Sequence, residues 1–254
     1  MPKDSPAIYL LREEEAIEPL HFVFAHMLRR SFSEMSLTQT MAYAAITEDV
    51  RVAMKSKRVL EVMYQREFTV SVKLYFLREL FRPLYDEVVR FYRSIFPSIE
   101  RCELTDMRTI GASAAYPERV PVFAIKEKFV DRLISIHELS SGMQKVLLII
   151  TDMVSLPEGS TYVIDEYENS LGVNAINFLP TFLADHGAGK QFIISTHHPY
   201  LINNIPVKFW RVFHRRGSEV LIKNGSYYED KFSKSKQQAF IQLINDQFYA
   251  DGTT

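Results

Sequence analysis

Residues 161–172 read TYVIDEYENSLG, and the fold turns on how this stretch is read. The run from Thr161 to Ile164 is short and mostly apolar, the pattern of a strand buried on both faces. Asp165 and Glu166 follow at its carboxyl end, where α/β sheets collect their ligands. One carboxylate at such a point can hold Mg²⁺ directly or through water. A second can orient or deprotonate a water molecule. A solvated acidic loop has the same composition, so the neighbouring segments must decide between the two.

Downstream, VNAINFLPTFLADHGAGK (173–190) reads as a helix with Pro180 inside it and Gly187 near its end. QFIIST (191–196) is a second short apolar run, expected to be a buried strand, and it ends in His197, His198 and Pro199. Adjacent histidines point in different directions and make a poor pair for one metal ion. A single His197 at a strand end beside an acidic strand end suits a phosphate oxygen. KFWRVFHRRGSEVLIKNG (208–225) reads as a hairpin turning near Gly217. KFSKSKQQAFIQLINDQFYA (231–250) reads as one closing amphipathic helix.

Upstream, VPVFAIKEKFVDRLISIHEL (120–139) predicts two short strands around a polar turn, and Gly142 to Val154 predicts a helix. Ser140, Ser141 and Gly142 precede that helix, although a helix start needs one small polar cap. Three small residues suit the approach of a ligand to the backbone. Residues 13–97 show apolar positions at three- and four-residue spacings, and residues 1–110 contain no glycine. Both features predict a helical region. Strand–helix alternation after it predicts an α/β layer with parallel strands. The expected organisation is therefore a helical region at 1–110 and an α/β lobe at 111–254.

Composition narrows the function classes. The 254 residues are 47% hydrophobic and 24% charged, with 30 basic and 31 acidic side chains. That balance carries no bulk signal for nucleic acid. A basic patch of Arg215, Arg216, Lys231, Lys234 and Lys236 leaves DNA contact open, and a solvated basic face has the same spacing. One cysteine, Cys102, excludes an internal disulfide; it is expected as a small buried apolar residue. No apolar run approaches a membrane span, so a soluble cytoplasmic protein is expected, with no membrane contact.

Three elements thus stand in order: LSSGMQK, YVIDEYENSLG and ISTHHP. Together they resemble the carboxyl-terminal half of an ABC-type ATPase head, and more closely the SMC, RecF and OLD-like ATPases of DNA repair or anti-phage defence. In that resemblance, Leu139 to Met143 match the signature motif. Val163 to Glu166 match the Walker B strand, Glu168 to Gly172 the D-loop region and His197 the switch histidine. The resemblance implies Asp165 as the Mg²⁺ ligand, and Glu166 and His197 as catalytic. It implies Ser140, Ser141, Gly142, Ser170 and Leu171 at ATP bound between two heads. Free N–H groups and the dipole at the helix start favour a phosphate there.

The family also needs a phosphate cradle, G-x-x-x-x-G-K-[ST], which this sequence lacks. Its one Gly-Lys pair, Gly189-Lys190, has Ala184 at the first glycine position and Gln191 in place of the hydroxyl residue. It also precedes a strand, and 187–190 reads as a helix-to-strand turn. The resemblance therefore implies that another chain or an amino-terminal lobe supplies the Walker A motif; a degenerate head is the remaining explanation. It implies a head-to-head or self dimer as well. Uncovered apolar sheet around Val163 and Ile193 is expected without that lobe. The alternative function is a non-hydrolysing scaffold that docks a partner nuclease. A nuclease within this chain is not expected, because no D-x-D follows Gly217.

Overall fold

The computed structural model describes residues 11, 13–25, 27–30, 47–55, 68–110, 120–232 and 239–252. Its centre is a three-stranded parallel sheet, β1 (Met27–Arg30), β5 (Thr161–Ile164) and β6 (Gln191–Ile194), in the order β1-β5-β6. Met27 pairs with Thr161 and Thr161 with Gln191, so all three strands run in step and end together. The strand carrying the acidic pair is therefore central, and its carboxyl end opens where β6 also ends.

A second sheet is antiparallel and joins β2 (Ile99–Asp106), β3 (Pro121–Glu127) and β4 (Ile134–Ser135). β3 buries Pro121 to Ile125, as a strand covered on both faces must. Three helices lie against these sheets: α3 (Val70–Leu80), α4 (Arg82–Ile95) and α5 (Ser141–Ser155). Thr69 caps α3 by accepting the Val72 N–H, and Pro83 sits in the first turn of α4, where its missing N–H costs nothing. The chief core joins Leu74, Val88, Tyr92, Phe123, Leu147, Ile150, Tyr162 and Phe182. The remaining helices are α1 (Glu18–Ala25), α2 (Glu48–Met54), α6 (Val173–Ile176), α7 (Phe178–His186) and α8 (Pro199–Asn204).

The carboxyl-terminal segment forms its own small cluster. β7 (Arg211–Arg216) and β8 (Glu219–Asn224) pair antiparallel around Gly217, whose φ of 60° suits a tight hairpin turn. Behind it pack α9 (Ser226–Glu229), α10 (Ala239–Ile244) and α11 (Gln247–Ala250). Ile202, Val212, Tyr228 and Leu243 fill the space between. Among the described residues, no helix is long and apolar enough to cross a membrane.

Four expectations are corrected. Met27–Arg30, inside the region read as helical, is a strand; its pairing with β5 across the chain overrides a local periodicity that fits a helix. β2 likewise lies within 1–110 as a strand, paired along its length with β3. β6 is not buried: it is the edge of its sheet, and Ile193 is 48% exposed. The single closing helix is two short ones, because Asp246 leaves the helix and caps α11 by accepting the Phe248 N–H at 3.1 Å. Cys102, expected buried, is half-buried, and burial pushes its thiol up to about 12.

One charged cluster ties these layers together. Asp152 on α5 has no side-chain exposure and sits among cations. Arg30 of β1 donates to it through Nε at 2.7 Å and Nη2 at 3.0 Å. The Tyr162 hydroxyl of β5 donates at 3.1 Å, and Lys73 Nζ of α3 lies 3.8 Å away. Three other elements, β1 and α3 from far upstream and β5 ten residues downstream, thus meet on one carboxylate of α5.

Candidate functional site

The turn after β5 is built in an unusual backbone conformation. Glu166 has φ 49° and Ser170 φ 64°, left-handed geometry that costs an L-residue roughly 1–2 kcal/mol each. Several bonds offset this. The Ser195 hydroxyl accepts the Glu166 N–H at 2.8 Å and donates to Asp165 Oδ1 at 2.5 Å. The Tyr167 N–H donates to the Ser195 carbonyl at 3.2 Å. The Tyr167 side chain is buried and its hydroxyl donates to the Ala175 carbonyl at 3.0 Å, anchoring the turn from below.

The far side of the turn is held by α5. Lys145 sits on the buried face of that helix and donates to the carbonyls of Glu166 at 3.0 Å and Asn169 at 2.7 Å. Burial holds its ammonium down to about 8, against the pull of Glu168 and Glu166. Asn169 Nδ2 donates to Glu166 Oε2 at 3.1 Å, which fixes the carboxylate, and the Ser170 hydroxyl donates to Asn169 Oδ1 at 3.2 Å. Glu166 and Asp165 themselves are exposed.

The turn ahead of α5 touches the same loop. Ser140 caps α5 by accepting the Met143 N–H at 3.3 Å. Gln144 donates to the carbonyls of Ile136 at 2.8 Å and Leu139 at 3.0 Å, so the approach to the helix is pinned. A Cβ on Gly142 would stand 2.4 Å from the Ser170 carbonyl oxygen. Glycine is therefore required here by an internal contact, whatever else approaches. Replacing Gly142 by alanine gains up to about 1 kcal/mol of helix propensity. The clash with a backbone oxygen in an already strained turn costs about 1–3 kcal/mol. A net loss of stability in urea unfolding is expected; an unchanged midpoint would show that the turn yields freely.

A model for a family described as "AAA domain, putative AbiEii toxin, Type IV TA system" matches residues 74–203, just over half of the chain. The chain belongs to this AAA domain family. No curated protein matches it. Similar solved structures are SMC heads. One comes from work on ATP-driven dimerisation and DNA-stimulated activation of SMC ATPases, at 13% identity over 68% of this chain and 97% of that one, TM-score 0.47. Another is an Smc head bound to the C-winged-helix domain of ScpA, at 11% identity over 77% and 55%, TM-score 0.49. A third is an Smc head with an extended coiled coil, bound to the C-terminal domain of ScpA and derived from Pyrococcus furiosus. It shares 12% identity over 89% and 50% of the two chains, TM-score 0.44. The chain thus spans about half the length of the latter two.

All eight residues picked out from the sequence fall within the span matched by the AAA family. The structure brings Asp165, Glu166 and Ser170 onto one turn and sets Ser195 and His197 against it. It sets Gly142 against Ser170 and leaves Ser140 and Ser141 exposed at the start of α5. Leu171 is different: its side chain packs against the chief core. His198 accepts the Tyr200 N–H at 3.2 Å and caps α8. Of the basic patch, Lys231 pairs with Asp246 at 2.7 Å and Arg215 Nε donates to the Gly217 carbonyl at 2.9 Å; Lys234 and Lys236 lie outside the described residues.

Sequence reasoning in this AAA domain gave no site role to Lys145 or Ser195, and named Glu168 only as the first residue of the D-loop match. Lys145 left a signal, a lysine among apolar neighbours on a buried helix three residues after Gly142. Ser195 was visible as a strand-end hydroxyl facing a strand-end carboxylate in the next strand of a parallel sheet. Among the described residues, no group of three His, Cys, Asp or Glu side chains could hold a metal by itself. Mg²⁺ does not need one, because it keeps several waters and takes one or two carboxylates plus phosphate oxygens. Asp165, exposed and oriented by Ser195, suits that part.

Proposed function

We propose that this chain is the carboxyl-terminal part of an ABC-type head that binds and hydrolyses ATP as a head-to-head dimer. A phosphate cradle from another segment or chain would complete it. The observation that carries the reading is the meeting of three distant segments at one turn: 165–170, 195–197 and the start of α5. Membership of an AAA domain family supports nucleotide as the ligand and Mg²⁺ as its companion.

In this reading Asp165 holds Mg²⁺, which when bound supplies charge neutralisation at the phosphates. Glu166 positions the attacking water and accepts its proton. His197 meets the γ-phosphate oxygen. Ser140, Ser141 and Gly142 present a hydroxyl and helix-start N–H groups to the nucleotide of the opposing head, and Ser170 and Leu171 link the two sites. Catalysis is then positioning plus charge stabilisation. Residues 27–30 and 70–106 belong with 120–254 to the head lobe in this reading, because β1 joins the central sheet, β2 pairs with β3, and α3 and α4 share its core. Release of the dimer on hydrolysis drives conformational change in a cytoplasmic DNA-maintenance or phage-defence complex.

The scaffold reading keeps one observation of its own. Phe213, Val220 and Ile222 are exposed together on one face of the β7–β8 hairpin, a surface that could dock an effector. Equilibrium binding of a fluorescent ATP analogue separates the two readings. The chain with a cradle-bearing partner is expected to bind in a Mg²⁺-dependent way, and Asp165→Asn to weaken that binding about tenfold or more. No binding in the complex, or binding that Asp165→Asn leaves untouched, would favour the scaffold.

A further inference from the structure

Glu168 is the most buried carboxylate of the site, and it is spent on an exposed partner. Its side chain is 8% exposed, whereas that of His197 is 79% exposed. One oxygen, Oε1, accepts the His197 backbone N–H at 2.8 Å and lies 2.9 Å from Nδ1 of the same ring. Burying a carboxylate is costly unless it is well bonded. Here burial pushes the Glu168 carboxyl up, yet the His197 N–H, the Thr196 hydroxyl and the His197 ring together hold it below its usual range. Glu168 is therefore ionised and can only accept.

An ionised acceptor against Nδ1 makes that nitrogen the donor. Neutral imidazole has one N–H and one bare nitrogen, so Nε2 becomes the bare one, or both carry protons in the charged ring. The ring is otherwise in solvent and gains nothing from packing. A buried carboxylate 2.9 Å from Nδ1 of an exposed ring, anchored beside it by the backbone N–H of the same residue, is an orienting device.

We infer that Glu168 is a positioning residue for His197, fixing the ring through Nδ1 so that Nε2 alone faces the site. The inference rests on the nucleotide reading only for the use to which Nε2 is put. Residues 165–170 then do two jobs: Glu166 faces outward at the start of the turn, and Glu168 reaches sideways to set the ring on the next loop.

The test has two arms that fail separately. In the full chain labelled with ¹⁵N in its imidazoles, long-range ¹H–¹⁵N spectra report which ring nitrogen carries the proton. The neutral His197 ring is expected in the Nδ1–H form. Glu168→Ala is expected to shift it to the Nε2–H form; Glu168→Gln, which keeps the shape of the side chain, should lower the Nδ1–H fraction. Nε2–H in the unmodified protein, or a ring unchanged in Glu168→Gln, overturns the inference whether or not the chain binds nucleotide. The second arm uses the complex with a cradle-bearing partner. Glu168→Gln is expected to lower kcat about tenfold or more, since small misplacements cost that much, with KM for ATP little changed. Adding it to His197→Ala should cost nothing further, because the two act as one unit. Independent, additive losses would overturn the functional part alone.

Discussion

Replacing Asp152 by alanine is expected to cost about 3–5 kcal/mol of folding stability, the range for removing one partner of a buried ion pair. A domain of this kind has roughly 5–15 kcal/mol in all, so the variant should be largely or wholly unfolded in mild denaturant. The reason is what remains: Arg30 and Lys73, whose side chains are 16% and 4% exposed, would be buried cations that have lost the Asp152 carboxylate. The Tyr162 hydroxyl would lose its acceptor as well. Equilibrium urea unfolding checks this, and a shift below about 1 kcal/mol would show that the cluster is dispensable. The same cluster has a pH signature. Burial, reinforced by Arg30 and opposed by Asp152, holds the Lys73 ammonium down to about 8, against an ordinary value of 10.5. Between those values the unfolded chain binds more protons than the folded one, so stability rises with pH across that window and this group contributes no slope below it. Asp152→Asn removes the opposing charge; the window should then widen downward, toward neutral pH.

That cluster also shows why part of the fold was legible in the sequence and part was not. The β5 strand, the signature-like turn and the hairpin at Gly217 are local patterns: an apolar run closed by two acids, a serine cap before an apolar helix, a glycine between alternating strands. Each can be read within a dozen residues. β1 cannot. Met27–Arg30 is four residues long and ends in two arginines; it is a strand because β5 offers a parallel partner and because Arg30 finds Asp152, 122 positions away. β6 read as buried for a related reason. Four apolar-leaning residues do not say whether a neighbour exists on both sides, and Ile193 stands at an edge. The closing helix broke at Asp246 because that carboxylate takes Lys231 and the Tyr228 hydroxyl as partners, a tertiary demand that helical periodicity does not reveal. The site divides in the same way. Its carboxylates and histidine announce themselves by residue type, whereas Lys145, Ser195 and Glu168 act by contact across the fold.

Glu166→Gln is expected to abolish most turnover in a complex completed by a cradle-bearing partner, with ATP binding retained. General-base assistance contributes about 10²–10⁴-fold, and that is the loss anticipated in kcat. The geometry makes this a clean substitution. The backbone of residue 166 is held by Ser195 on its N–H and by Lys145 on its carbonyl, and neither bond involves the side chain. A glutamine carbonyl can still accept from Asn169 as Glu166 Oε2 does at 3.1 Å, so the left-handed turn and the position of the side chain should persist. What disappears is the ability to take a proton. Loss of kcat with unchanged nucleotide affinity would then mark an interaction made only in the transition state. Loss of binding together with turnover would instead assign Glu166 to holding the nucleotide. Equal turnover in the substituted and unmodified complexes would remove it from the chemistry, leaving Asp165 and His197 to account for hydrolysis without a base on this turn.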